Sequence, residues 1–336
     1  MTLSAVGVPF DRNIGASGAV LAVTSFIFTQ MQASGPRTRK VAILTKVKSP
    51  FSAAVSEGLS KELQKLSYIN FEAFEPSGDQ NSILSWQVET LQNLEDYDAV
   101  VVLPAGDDST LWETLAKMSK RGVFIAVADT KPPNRYFREV GAPRPAFICS
   151  DFTKGGRIVG DKIVELLKEG ENGYGGALVA CGPGDSWPGM ERSRAIIYTI
   201  ASRGFGGFIT CVEIGSWKSD LAASTILEAL DKLHESLDAE KPNIIVYCAN
   251  DKIMRYLAKR MPSKLYSSTV GLIGYDGIQS YGGEYLAHWP PLSLGTVDVQ
   301  AYEQGVNLGN ILTEEYLHGN GVRGSLTLDP KWVDLS

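Results

Sequence analysis

The chain has 336 residues, enough for two lobes of ordinary size rather than a single compact unit. It is 44% hydrophobic and 21% charged, a globular balance with ample material for a core. A formal net charge of -6 excludes the broad basic face that nucleic-acid binding requires.

At the N-terminus, Ala19-Val20-Leu21-Ala22-Val23 and Phe26-Ile27-Phe28 form a soft apolar run that is short and polar for a membrane span. Asp11 beside Arg12 removes the positive charge of a secretory leader, and no clean small-residue cleavage site follows. Residues 1–38 are therefore read in three ways that stay open: a signal or anchor, an extra segment with Met31 as the true start, or a structured arm.

From Arg39 the pattern becomes regular. Val41-Ala42-Ile43-Leu44 reads as a strand, and Ser49-Pro50 opens a helix through Phe51, Ala54, Val55, Leu59 and Leu63. Ile69 to Phe74 alternates as a strand. The polar turn Ser77-Gly78-Asp79-Gln80 leads to a helix with Ile83, Leu84, Val88 and Leu91. Ala99 to Leu103 and Val123 to Val127 are buried strands around a helix through Leu111, Leu115 and Met118. Lys131 to Pro145 is rich in proline and reads as an irregular surface loop.

The alternation then restarts. Ala146 to Cys149 is a strand, and Asp151 caps a helix through Ile158, Ile163, Val164 and Leu167. Strands at 177–181, 208–214, 244–249, 270–275 and 292–297 follow, with helices at about 189–202, 221–237 and 251–261 between the first four. A helix through Val306, Leu308, Ile311, Leu312 and Tyr316 and a short tail, Leu326 to Val333, close the chain. Continuous apolar strands separated by helices predict an α/β fold of two Rossmann-like lobes, each a parallel sheet flanked by helices. The last strand, helix and tail are extra, so the chain passes between the lobes more than once.

The chemistry is sought where strands stop, because open α/β sheets bind ligands just beyond the carboxyl ends of their strands. The run Ile244 to Ala249 stops at Asn250-Asp251, and Val270 to Tyr275 stops at Asp276-Gly277. An asparagine offers an acceptor and two donors to adjacent hydroxyls, and an ionised aspartate accepts several hydrogen bonds. Each is equally an ordinary helix cap or turn residue. Asp129 ends a strand of the first block in the same way. Arg192, on the helix after Cys181-Gly182-Pro183-Gly184, carries a fork that grips hydroxyls or a carboxylate, or faces solvent. Trp187, Trp217 and Phe51 lie just past strand ends, where an aromatic face stacks on a sugar ring or packs in a core.

Other constellations are weak. No G-x-G-x-x-G follows the first strand, no Gly-Lys-Ser/Thr occurs, and Gly184-Asp185-Ser186-Trp187-Pro188 lacks the closing glycine of a nucleophile elbow. His234, His288 and His318 lie far apart, so no metal spacing is present. Cys149, Cys181, Cys211 and Cys248 each sit in or end an apolar run, as small buried hydrophobes with free thiols do. No catalytic residue, metal or cofactor is expected.

The ordered series of motifs resembles the type I periplasmic binding proteins of the ribose and galactose branch, which share their fold with lactose-repressor-type effector domains. The carriers are Val41 to Leu63, Asp98 to Asp129, Ser150-Asp151 with Gly155-Gly156, Glu191-Arg192-Ser193-Arg194, Ala249-Asn250-Asp251, Gly274-Tyr275-Asp276-Gly277 and Thr296-Val297 through Gly305. The resemblance implies two lobes, joined by three hinge strands, that close over one small molecule, usually a sugar. It implies lobes of 39–149 plus about 300–325 and of 150–299 plus about 326–336. It also implies ligand contacts at Phe51, Asp129, Arg192, Asn250 and Asp276, with Gln300 beside the position of a further one. Ser49, Ser52, Thr130 and Val299 depart from the family pattern, so the first-lobe half of the pocket is altered.

A solute-binding protein for a sugar, polyol or sugar derivative is thus expected. It would be monomeric, without nucleic acid, and would serve an ABC-transporter permease or a membrane sensor. A ligand-sensing domain of a regulator and a Rossmann-like enzyme are the alternatives. The resemblance implies the periplasm, whereas free cysteines and the poor leader fit the cytoplasm, and the sequence leaves the compartment open.

Overall fold

The computed structural model describes residues 37–46, 49–76, 80–168, 174–236, 243–261, 270–277, 289–318 and 324–335. The N-terminal apolar segment and Ser77 to Asp79 of the polar turn lie outside them.

The first sheet has the order β2-β1-β3-β4-β5-β11, from strands β1 Arg39–Leu44, β2 Ile69–Phe74, β3 Ala99–Val102, β4 Phe124–Ala128, β5 Ala146–Ser150 and β11 Ser325–Leu328. Its pairs are all parallel. The second has the order β7-β6-β8-β9-β10-β12, from β6 Gly176–Cys181, β7 Ile209–Glu213, β8 Ile244–Tyr247, β9 Val270–Ile273, β10 Ser293–Asp298 and β12 Lys331–Asp334. Among the described strands of this sheet only β12 runs antiparallel to its neighbour, β10. The two orders match position for position, so the repeated architecture is real although the sequence shows no close repeat.

The helices are α1 Pro50–Gln64, α2 Gln80–Gln92, α3 Ser109–Lys120, α4 Asn134–Glu139, α5 Phe152–Lys168, α6 Trp187–Ser202, α7 Ser219–Ser236, α8 Asp251–Arg260 and α9 Ala301–His318. Side-chain caps start several of them. Ser49 accepts from the N–H of Ser52, Asp108 from Thr110 and Leu111, and Asp151 from Lys154. Each such cap contributes about 1 kcal/mol. β3, β4 and β8 are buried along their whole length and β1 over Val41 to Leu44, as parallel strands covered on both faces must be. Trp112, Tyr247, Tyr275 and Phe137 are among the largest fully buried side chains.

The final helix returns to the first sheet's side. A Cβ on Gly58 would lie 2.2 Å from the carbonyl oxygen of Tyr302, so α1 and α9 touch backbone to backbone. α5 and α6 do the same in the second lobe, where a Cβ on Gly156 would lie 2.4 Å from the Arg192 carbonyl oxygen.

Three connections join the sheets: β5 to α5, β10 to α9, and β11 to β12. The expected change of lobe at about residue 325 falls inside the first sheet. β11 pairs with β5 over Ser325 to Leu328, and the chain crosses at Asp329-Pro330. A second correction concerns the segment 131–145, read as irregular. It contains α4, whose Tyr136 and Phe137 are buried, because a short amphipathic turn fits between the prolines.

Candidate functional site

The two sheets present their carboxyl ends to each other across one cleft of about 260 Å³. That is near the lower end of small-molecule sites, which span about 300–1,000 Å³. One wall comes from the loops after β1, β3 and β4, the other from the loops after β6, β7, β8 and β9.

In the first wall β4 ends at Asp129, whose side chain is only 7% exposed. Its φ of 70° lies in the left-handed region, rare for a residue with a Cβ. The backbone is held there by the Asp129 N–H donating to Ile148 O at 2.9 Å. Lys46, just beyond β1, forms an ion pair with the Asp129 carboxylate, and its ammonium lies 5.0 Å from the centre of the Phe51 ring. Fully buried Gln87 braces this end of the sheet. Its amide donates to Thr45 O at 3.1 Å and Leu103 O at 2.8 Å, and it accepts from Ala105 N–H at 3.0 Å. That fixes the splayed ends of β1 and β3, between which the chain reverses its strand order.

In the second wall β9 is followed by Asp276 at φ 112°, a strained conformation for a non-glycine residue. The Asp276 N–H donates to Val297 O at 3.0 Å. Gly277 follows at φ 67°, where a Cβ would meet Asp298 Cα at 2.2 Å. Arg192 reaches toward Asp276 from α6, with 3.8 Å between their nearest charged atoms. Its guanidinium stacks 4.5 Å from the Tyr275 ring centre and 5.4 Å from that of Trp217. The Arg192 Nε finds no hydrogen-bond partner among the described residues. Burial works against the Arg192 charge, but Tyr247, Asp276, Tyr275 and Asp129 outweigh it and hold its pKa above the ordinary value. Burial pushes the Asp276 carboxyl up to about 8, with Arg192 opposing and Asp251 and Asp129 adding to the rise.

Asn250 combines both of its sequence readings. Its side-chain oxygen accepts from the Ile253 N–H at 2.7 Å and caps α8, while the residue also lines the cleft. The amide N–H2 group is what remains for a ligand. Trp187 starts α6 at the cleft and packs edge-on against Phe147 of the first lobe and Phe152, with ring centres 6.3 Å and 5.6 Å apart.

Seven of the eight expected positions, Phe51, Asp129, Trp187, Arg192, Trp217, Asn250 and Asp276, line this one cleft. Gln300 does not. At φ 55° it turns into the hinge, its N–H donates to Asp298 Oδ1 at 2.7 Å, and its side-chain amide donates to the Asp329 carbonyl. Sequence reasoning missed Lys46, Asp107, Asp185, Lys218 and Lys252, which also line the cleft. Lys46 lies two residues past the end of β1, a place the strand-end rule covers, although its Lys-Val-Lys setting reads as a solvated loop. Among the described residues no group of three or more His, Cys, Asp or Glu could hold a metal ion.

The profile of the periplasmic binding protein domain matches residues 41–312. The chain belongs to that family. No protein of curated function matches the sequence. Among solved structures, the chain is similar to a Caulobacter myo-inositol binding protein bound to myo-inositol, at 20% identity and a TM-score of 0.72, over 90% of this chain and 95% of that one. It is similar to an ABC transporter periplasmic solute binding protein from Actinobacillus succinogenes with bound D-allose, at 16% identity and a TM-score of 0.68, over 88% and 97%. A LacI transcriptional regulator from Rhodococcus species shares 15% identity at a TM-score of 0.63, again over 88% and 97%. At these identities the likeness is one of fold, and regulators carry this family's fold as well as binding proteins.

Proposed function

We propose that this family member is a non-catalytic solute-binding protein. Its two lobes, drawn at 39–150 plus 301–328 and 152–298 plus 331–335, close over one sugar, polyol or sugar derivative. The observation that carries the reading is the pair Asp129 and Asp276. Two carboxylates at strand ends, each held at positive φ, enter one cleft from opposite sheets, each beside a cation. An aspartate carboxyl in that setting accepts hydrogen bonds from hydroxyl groups whether ionised or protonated, and the Arg192 and Asn250 N–H groups donate to hydroxyl oxygens. Phe51, Trp187 and Trp217 offer apolar faces to a ring. The sugars and inositol named for the similar structures match this chemistry.

Closure follows from the same arrangement. A ligand held by both walls binds the closed state better than the open one and shifts the population by that difference. The three crossings form the hinge, and the Gln300 side chain ties two of them. Delivery to an ABC-transporter permease or a membrane sensor, by a monomer without nucleic acid, completes the proposal. The regulator among the similar structures supports a second reading, the ligand-sensing domain of a regulatory protein, with the same cleft and the same ligand class.

Isothermal titration of the full chain against myo-inositol, D-allose and a panel of pentoses, hexoses, polyols and sugar acids tests the proposal. At least one compound saturates one site, and its affinity falls in Asp276→Ala. Absence of any saturable binder, or unchanged affinity in that variant, would remove the assignment.

A further inference from the structure

All four cysteines are free, yet they differ in setting. Cys149 and Cys248 are buried, Cys181 is half-buried and Cys211 is exposed. The expectation that all four are buried hydrophobes therefore fails at Cys211, because β7 is the edge strand of the second sheet. The β6–β7 register pairs Val179 with Cys211 and Cys181 with Glu213. Side chains two residues apart share a sheet face, so Cys181 and Cys211 are diagonal neighbours on one face. In the resting pair the Cys181 thiol donates to the Val179 carbonyl oxygen at 3.7 Å. The neighbouring Cys181 thiol draws the Cys211 pKa down, and the same neighbour together with burial pushes Cys181 up.

We propose that Cys181 and Cys211 form a thiol–disulfide exchange site, in which Cys211 attacks a low-molecular-weight disulfide and Cys181 resolves the product. The exposed Cys211 thiolate attacks one sulfur of the small disulfide, whose S–S bond breaks and releases one thiolate. Cys181 gives up its proton and attacks the Cys211 sulfur of the mixed disulfide, releasing the second small thiolate. Two protein thiols are oxidised, one small disulfide is reduced to two thiols, and the two protons pass to those thiols. An accessible thiolate of low pKa beside a second thiol is the arrangement that such chemistry selects.

Diagonal neighbours have Cα atoms about 7–8 Å apart, whereas a relaxed disulfide spans at most about 6.8 Å. The bond therefore requires local movement. Cys181 is the last residue of β6 and is followed by Gly182-Pro183-Gly184, so the strand end is where that movement falls. Strained disulfides are the readily reduced ones. The moving loop carries Asp185, Ser186, Trp187 and Pro188 of the cleft, and a Cβ on Gly182 would sit 3.1 Å from the Trp217 ring. Oxidation of the pair is thus transmitted to the cleft wall.

The test incubates the native full chain with glutathione disulfide and maps thiols by mass spectrometry, with Cys149 and Cys248 as internal controls. Wild type loses two thiols as an intramolecular Cys181–Cys211 bond. Cys181→Ser stops with one glutathione on Cys211, and Cys211→Ser leaves Cys181 unmodified. Tryptophan fluorescence shifts on oxidation of wild type and returns with dithiothreitol. Retention of both thiols, reaction at Cys149 or Cys248 at an equal rate, accumulation of the glutathione adduct in wild type, or bonds between chains would overturn the proposal. An unchanged fluorescence spectrum would overturn its link to the cleft.

Discussion

The two walls of the cleft are built on the same plan and finished differently. Each places an aspartate just past a strand end at positive φ and sets a cation next to it. In the second wall the cation is a guanidinium from a helix, almost fully buried between two aromatic rings. In the first wall it is the ammonium of Lys46, 23% exposed, on a loop and over one ring. A rigid, stacked fork presents fixed donors, whereas a flexible point charge follows what it meets. On the proposed function the second wall is therefore the anchor and the first wall the adjustable, selective side.

The largest effect should come from breaking the anchor. Arg192→Ala removes the stacked guanidinium donors from the cleft, and losing a hydrogen bond made by a charged group costs about 1.5–3 kcal/mol in binding. Calorimetric titration with the tightest ligand of the panel reads that loss, and a change within experimental error would refute the anchor.

Next comes the proton on Asp276. Its folded pKa of about 8 stands above the 3.8 of an ordinary aspartate, so the native state favours the protonated form. The stability this contributes is fully present below about pH 4 and is lost as pH rises to about 8. Urea midpoints of wild type should fall across that window relative to those of Asp276→Asn. Parallel pH profiles for the two proteins would contradict the buried carboxyl.

Gly58→Ala probes the frame of the first wall. The added Cβ meets the Tyr302 carbonyl of α9, and overpacking of this kind costs about 1–3 kcal/mol. A lowered urea midpoint is expected, and an unchanged midpoint would show that α1 and α9 are not in backbone contact.

Smaller and more selective effects separate capping from ligand contact. Asn250→Asp keeps an oxygen for the α8 cap but removes the donors, so stability should hold within about 0.5 kcal/mol. Affinity should drop by about 1 kcal/mol, the worth of one hydrogen bond. Equal losses in both would make Asn250 a cap alone. Lys46→Met should have the smallest mean effect, about 1 kcal/mol or less for a part-exposed pair. It should nevertheless reorder the preference among sugars, polyols and sugar acids. A uniform loss across that panel would show that the first wall does not select.

Much of this plan is legible in the residues. Continuous runs such as Val41 to Leu44 and Ala99 to Leu103 mark covered parallel strands, and the abrupt stops at Asn250, Asp276 and Asp129 mark where strands of both sheets meet the cleft. The order of motifs supplied the family. What the residues do not display is decided by three-dimensional neighbours. Gln300 stands beside a motif position, yet its αL turn sends it to the hinge. Cys211 sits in an apolar run but on an edge strand, so half its surroundings are missing. Lys46 lies in a Lys-Val-Lys sequence that reads as a solvated loop, and only the packing of Asp129 and Phe51 draws it inward. α4 was hidden by its flanking prolines, although Tyr136 and Phe137 had to be buried somewhere.

Asp129 and Asp276, from opposite sheets, are proposed to hold one ligand between them. A calorimetric double-mutant cycle over wild type, Asp129→Asn, Asp276→Asn and the double variant tests it most directly. About tenfold or greater loss of affinity is expected in each single variant, and a double variant should lose less than the sum, because the closed state is already forfeited. Full wild-type affinity in either single variant would contradict it.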